Sequence, residues 1–363
     1  MEVLKLMNSN PNWRDVLCAD PYNITIKEDG DYVLLKYSQI ESDFNLPIVR
    51  ECRGAIFVCE NGVWRCVRRA FDKFGNYGEG YAADIDWSTA SVQEKVDGSL
   101  MSVWYCNGWH LSTNGTIDAF KAPLADFGIS FGDYFMQCLN CTYEEFLETL
   151  STDCCYTFEM VGPLNRVVIS YEKPMLYAIG QRNMKTMKEV KYSGPLDEWC
   201  NIRLPHYYYL HSLDGVIDAA SKMSKDEEGF VVCDVHFNRI KVKSPEYLMA
   251  ARLRNNGVIT FERLVEIIMT EKVDDFIAYC PQYGEKLREV EVLYIKLKLK
   301  LQKEDFCADK FLDLPRAEYA NAIKDLTFKH YLFGVYDGKW GVDSYLSSLR
   351  PNQVVKMIEA LKH

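Results

Sequence analysis

The stretch Glu94-Lys95-Val96-Asp97-Gly98-Ser99-Leu100 decides how this chain is read. β-prone residues flank it, Ser91-Val92-Gln93 before and Met101-Ser102-Val103-Trp104-Tyr105 after. One amine is thereby set at a strand end with backbone amides close by, which is a place to hold a phosphate. A lysine becomes a covalent nucleophile once its ammonium loses a proton, and burial and neighbouring cations favour that loss. Lys241 and Lys243 are candidate neighbours. Alone, Lys-x-Asp-Gly is a weak signal, because Asp-Gly is a common hairpin turn.

Further stretches lie on either side in a fixed order. Downstream are Tyr156-Thr157-Phe158-Glu159-Met160-Val161, Glu228-Gly229-Phe230-Val231-Val232 and Arg239-Ile240-Lys241-Val242-Lys243-Ser244. Upstream are Glu51-Cys52-Arg53-Gly54-Ala55-Ile56-Phe57 and Arg69-Ala70-Phe71-Asp72-Lys73-Phe74-Gly75-Asn76. In order and spacing they resemble the motifs of the RNA ligase 1 family, the phage tRNA-repair ligases of the covalent nucleotidyltransferase superfamily. The likeness covers about residues 50 to 250, and Tyr247 matches a family tyrosine.

The resemblance implies an ATP-dependent RNA ligase. Lys95 attacks the α-phosphate of ATP, forms a lysyl-adenylate and releases pyrophosphate; AMP then passes to an RNA 5′-phosphate, and a 3′-hydroxyl displaces it. Lys241 and Lys243 alternate on one strand, so both face one way, and their charges are expected to stabilise the phosphate in the transition state. Asp97, Glu159 and Glu228 are the expected set for Mg2+ (or Mn2+), held through waters because that ion keeps much of its hydration shell. Arg53 and Lys73 are expected catalytic contacts to phosphate or ribose. Glu94, Phe74, Gly98 and Gly229 complete the expected nucleotide site, the glycines for close backbone approach or an unusual backbone angle. Leu100 stands where many DNA ligases and capping enzymes have arginine, a charge that Arg53 would supply. Two departures touch nucleotide affinity and step rates: Asn114 replaces a family lysine, and Gly75 an aromatic.

Composition sets bounds. A chain of 363 residues suggests two domains. A net charge of −10 argues against coating nucleic acid by bulk electrostatics, so RNA contact requires a local basic groove. No apolar run approaches the ~20 residues that span a bilayer and Met1-Glu2-Val3-Leu4-Lys5 lacks a secretory signal's core, so no membrane association and a cytoplasmic location are expected. The 13 cysteines read as reduced core thiols, and Cys138, Cys141, Cys154 and Cys155 as poor zinc ligands. Gly334-Val335-Tyr336-Asp337-Gly338-Lys339-Trp340 is one residue short of a phosphate loop and reads as a turn between helices.

The expected fold class is α+β. Residues 1–248 form an adenylyltransferase domain of the ATP-grasp-like ligase type with antiparallel sheets, and residues 249–363 an all-helical C-terminal domain. In the first domain, hairpins are predicted at Asp29-Gly30 and Asn61-Gly62, helices before Pro11 and over Thr116–Phe127, Tyr143–Leu150 and Leu213–Met223, and strands at Cys155–Val161, Arg166–Ser170, Met175–Ile179, Gly229–Asp234 and Arg239–Lys243. In the second, helices are predicted over Phe261–Met269, Lys286–Leu301, Arg316–Thr327 and Asn352–Leu361. The expected partner is RNA with 5′-phosphate and 3′-hydroxyl ends, including nicked tRNA, prepared by a separate end-healing kinase-phosphatase and sealed by a monomer. The competing readings are a DNA ligase or GTP-dependent capping enzyme, and a catalytically silent nucleotide- or RNA-binding module.

Overall fold

A computed structural model describes residues 1–39, 41–124, 127–196, 199–224, 226–245, 247, 260–270, 273, 276–277 and 283–361. The chain divides into two compact units: Met1–Lys121 with Ile129–Gly257, and Ala122–Gly128 with Val258–His363.

The first unit combines helices with largely antiparallel strands, the expected α+β class. Both hairpins form where turn residues predict them. Strands β1 (Ile24–Asp29), β2 (Tyr32–Tyr37), β3 (Arg53–Glu60) and β4 (Val63–Arg68) make one sheet in that order. Its turns need left-handed backbone, met by Gly30 at φ +59° and by Asn61 and Gly62 at φ 53° and 80°. Helices α1 (Glu2–Ser9) and α2 (Trp13–Cys18) share a buried cluster with this sheet through Val3, Trp13, Leu35 and Phe57. The second of these helices, past Pro11, was not predicted; Trp13 and Leu17, four residues apart, give it a buried side. Neither was α3 (Pro47–Glu51), which leads into β3.

A third hairpin precedes the longest strands. The second sheet joins β6 (Ser99–Tyr105), β7 (Trp109–Thr113), β8 (Cys154–Val161), β9 (Met175–Asn183) and β10 (Lys188–Val190) in the order β10-β9-β8-β6-β7, with β11 (Ile202–Arg203) added beside β9. The third sheet is ordered β12-β5-β13-β14, from Tyr207–Tyr208, Ser91–Glu94, Gly229–Cys233 and Arg239–Lys243. Val92, Phe230, Val232, Ile240 and Val242 line one face of it and bury against Val216 and Ala220 of a helix at Leu213–Ser221. Alternation therefore turns Gln93, Val231, Lys241 and Lys243 to the other face.

Two predicted elements fail for identifiable reasons. The helix over Thr116–Phe127 is reduced to a 3-10 turn at Ala119–Lys121, with residues 125–126 outside the described ones. The helix begins instead at Phe131, where Ser130 and Asp133 cap each other's backbone amides. The strand over Arg166–Ser170 does not form, because the Val168 and Ile169 amides donate to the Asp97 carboxylate at 2.8 and 2.9 Å instead of to a ladder.

The described elements of the second unit from Phe261 onward are helices: Phe261–Met269, Gly284–Asp309, Arg316–Ala322, Lys329–Tyr336, Val342–Ser348 and Pro351–Ala360. The expected boundary at 248/249 lies outside the described residues. The stretch Gly334–Trp340 is not wholly a turn: its first residues end a helix, and a Cβ on Gly334 would meet the Trp340 indole 2.0 Å away. No described helix is long and apolar enough to cross a membrane.

Glu304 explains why the predicted helix over Arg316–Thr327 stops short at Ala322. Its buried carboxylate accepts from the Thr327 and Phe328 amides at 3.0 and 2.9 Å, fixing the start of the next helix. Burial pushes its carboxyl up, yet these amide bonds hold it below its ordinary value of 4.5. A depressed carboxylate stabilises the fold above that ordinary value and loses its contribution as pH falls through the folded one. Glu304→Gln should therefore cost about 2 kcal/mol at pH 7, with the gap in denaturant midpoint from wild type closing towards pH 3. An equal gap at both pH values would show that the charge contributes nothing.

Candidate active site

Lys95 lies just past the end of β5, not within it. Its amide donates to the Gly229 carbonyl at 2.8 Å, which fastens it to the head of β13. Its Nζ is 2.7 Å from Glu228 Oε2, and Lys243 Nζ is 2.9 Å from Glu228 Oε1. The Glu228 side chain is fully buried and that of Lys243 is 2% exposed, whereas Lys95 keeps 15%. Two ammonium groups from separate strands thus converge on one buried carboxylate. Such a bridge persists only if its desolvation is offset by close pairing. Glu228, with Asp226 and Glu227 beside it in sequence, is therefore no surface carboxylate.

Lys241 stands two residues before Lys243 on the same face, and both are buried. The upstream motif reaches this strand directly. The Lys241 amide donates to the Gly75 carbonyl at 3.0 Å and the Tyr77 amide to the Lys241 carbonyl at 2.8 Å. Phe74 consequently sits between two cations, with Lys241 Nζ 5.4 Å and the Arg53 guanidinium 5.6 Å from its ring centre. Arg53 Nη1 is buried without a hydrogen-bond partner, as are Asn76 Oδ1 and Asn114 Oδ1. Unpartnered buried polar atoms cost free energy unless a ligand meets them. Gly75 leaves little room for the family's aromatic, since a Cβ there would lie 3.1 Å from Ala82 Cα.

Other expected site residues are placed differently. Lys73 is buried with its Nζ over the rings of Phe44 and Tyr37, 4.7 and 5.5 Å from their centres. Asp97, also buried, is surrounded by donors: Val168 and Ile169 amides on Oδ2 and the Tyr247 hydroxyl on Oδ1 at 3.0 Å. Glu159 Oε1 accepts from the Gly98 amide at 3.1 Å. Among the described residues, no three His, Cys, Asp or Glu side chains form a group that could hold a metal ion directly. Glu94 Oε1 accepts from the His206 amide at 2.9 Å, joining β5 to the chain before β12. The two glycines serve backbone packing: a Cβ on Gly98 would meet the Met160 carbonyl at 2.3 Å, and Gly229 has φ +134° with the Val242 carbonyl 2.2 Å from where a Cβ would sit.

Residues that pattern reading passed over hold this arrangement in place. Arg68 is buried, bonds to the Gly54 carbonyl beside Arg53, and donates to Ser102 Oγ at 2.8 Å; burial pushes its guanidinium down to about 10. Glu189 joins Arg182 of β9 at 2.9 Å and Arg239 of β14 at 2.7 Å, bracing the strand of Lys241 and Lys243 against the neighbouring sheet. Tyr171 accepts from the Asp97 amide at 3.3 Å, and burial pushes its hydroxyl up. A buried arginine announces itself in sequence only through the strand pattern around it, and Glu189 only through its partners.

The site thus gathers a lysine paired with a buried carboxylate, two further lysines and an arginine with one buried donor unmet. The profile of the family described as RNA ligase matches residues 51–247, more than half of the chain, and this chain belongs to that family. An RNA ligase of Rhodothermus phage RM378 is 26% identical over 339 residues, covering 77% of this chain and 76% of the phage protein. A protein of Autographa californica nuclear polyhedrosis virus, described as a bifunctional polynucleotide kinase/RNA ligase, is 30% identical over 289 residues, covering 73% of this chain and 40% of its own. An archaeal ATP-dependent RNA ligase overlays 80% of this chain and 78% of itself at 15% identity with a TM-score of 0.45, a likeness too weak to build on.

The Glu228 bridge makes a direct prediction. Glu228→Gln keeps the shape and removes the charge, leaving two ammonium groups without their counter-ion, and should cost on the order of 3 kcal/mol of stability. Adding Lys243→Met should recover part of that loss. A Glu228→Gln melting midpoint equal to wild type would show that the bridge is not what holds these strands together.

Proposed function

We propose that this chain is an ATP-dependent RNA ligase that joins a 5′-phosphate to a 3′-hydroxyl through lysyl-AMP and RNA-adenylate. The observation that carries the reading is Lys95, the least buried of the bridged pair, held 2.7 Å from Glu228 at a strand end on the face that also presents Lys241. Lys95 leaves Glu228 and gives a proton to water, and the neutral amine then attacks the α-phosphate, the Nζ–P bond forming as the bond to pyrophosphate breaks and a second proton passing to water. Lys241 and Lys243 face the charge that builds on the phosphate oxygens. Arg53, with a buried donor unmet, is suited to a phosphate oxygen or ribose hydroxyl, and Phe74 to an adenine edge.

ATP fits this face by charge and by its unmet donor. A Mg2+ or Mn2+ ion would neutralise charge on the phosphates. The three carboxylates suit it only through its waters, because Asp97 is surrounded by donors and Glu228 is bridged. The helical segment after the last motif supports RNA ligation over DNA ligation or capping, as do the names of the two relatives. We further assign residues 1–248 as the adenylyltransferase domain and 249–363 as a helical C-terminal domain, with broken tRNA among the substrates.

Lys95→Ala should take up no label from α-labelled ATP, yet still seal RNA that already carries a 5′-adenylate, since that last step needs no lysine nucleophile. A variant labelled as strongly as wild type would remove Lys95 from the reaction. Labelling of the wild type by GTP and not ATP would favour the capping enzyme.

A further inference from the structure

The sheet that carries Lys241 has an outer strand, β12, at the end of its order. Register places Tyr207 across from Gln93, Gln93 across from Val231, and Val231 across from Lys241. Residues directly opposite share a face. Tyr207 therefore points to the same side of the sheet as Lys241, three strand spacings or about 14 Å away. Tyr208 turns to the other side, where its ring meets Phe230 at 5.0 Å. Tyr209 lies just past the strand, in a tight turn closed by the Leu210 amide on the Tyr208 carbonyl at 3.0 Å.

Neither tyrosine is used by the core. Tyr207 is 49% and Tyr209 96% exposed. Arg203, four residues before Tyr207, is exposed and forms no ion pair among the described residues. His206 and His211, on either side of the tyrosines, are exposed as well. Two exposed tyrosine rings so near each other in the chain leave aromatic surface for a ligand to cover.

We propose that Tyr207 and Tyr209 form a stacking platform for unpaired bases of the RNA strand whose end is sealed at Lys95. The assignment rests on the ligase reading of the lysine face and adds where the strand runs. Three observations select this occupant. Tyr207 shares a sheet face with Lys241, so a strand with its terminal phosphate at Lys241 can extend along the row to Tyr207 and on to the neighbouring Tyr209. The chain's net charge of −10 requires contacts that do not rely on bulk attraction, and stacking is such a contact, tolerant of sequence because every base has a π-face. A two-residue strand offers too short a ladder to bind a peptide by strand addition. Stacking demands bases not already paired, so the ligand is single-stranded RNA near the break and not duplex.

The test uses the full chain and a 5′-phosphorylated single-stranded oligoribonucleotide, with binding followed by fluorescence anisotropy and Lys95 labelling followed separately with α-labelled ATP. Tyr207→Ala/Tyr209→Ala should weaken oligonucleotide binding about tenfold or more and raise KM for RNA, while taking label at the wild-type rate. Tyr207→Phe/Tyr209→Phe should bind as wild type, because the ring and not the hydroxyl makes the contact. Tyr209→Ala alone, at a position almost wholly in solvent, should show part of the loss with an unchanged melting midpoint. Binding by the double alanine variant within twofold of wild type overturns the proposal, as does a phenylalanine pair that binds no better than the alanines. Failure of the wild type to take label would instead count against the ligase reading, and the binding comparison still decides the platform.

Discussion

A single buried carboxylate decides how the sheet of Lys241 and Lys243 can be assembled. Glu228 sits immediately before β13, the strand between β5 and β14, and its carboxylate pairs with the ammonium of Lys95, just past β5, and with that of Lys243 on β14. Like charges brought together at low dielectric repel strongly, and an intervening anion converts that repulsion into attraction. The backbone repeats the same junction: Lys95 is fastened to the Gly229 carbonyl at 2.8 Å and Ser244 to the Glu228 carbonyl at 2.9 Å. Ion bridge and hydrogen bonds therefore specify one register for three strands.

Asp97 performs the corresponding task for the loop opposite. Two amides and a tyrosine hydroxyl occupy its oxygens, so the segment around Val168 and the Tyr247 side chain are both referred to the residue two positions from Lys95. Glu159 adds a third tie through the Gly98 amide. In the folded chain all three carboxylates expected to serve the metal also tie down the residues around Lys95. Positioning of that kind is what an in-line displacement at phosphorus requires of a protein.

Much of this was legible from residue patterns, and the limits are instructive. Alternation along Arg239-Ile240-Lys241-Val242-Lys243 fixes both which residues pack on the helix at Leu213–Ser221 and which lysines face away, so strand and site emerge together. The hairpins at Asp29-Gly30 and Asn61-Gly62 were equally plain, because left-handed turns admit few residue types. What escaped is what depends on distant partners. Val168 and Ile169 look like strand residues until the Asp97 carboxylate takes their amides. Thr116–Phe127 has helical spacing, but the cap that starts a helix lies at Ser130. The short strands β10, β11 and β12 are made by their neighbours in space, and two or three residues carry no readable period. Glu189 and Arg68 have ordinary sequence surroundings and are structural only through residues far along the chain.

The two margins of the Lys241 sheet are treated unequally. At β14 the Gly75–Tyr77 segment takes the outward amide and carbonyl of Lys241, so that rim cannot template pairing with a stray chain. A bare β-edge invites intermolecular sheet growth, and natural proteins blunt it with covers or with very short strands. This fold uses both devices, a cover on the lysine side and a two-residue strand on the other. Its most polar strand is thereby protected from aggregation by the same upstream stretch that brings Phe74 between Arg53 and Lys241, which ties resistance to misassembly to the placement of these side chains. A chain whose residues 73–77 come loose would scatter them and expose the edge at once.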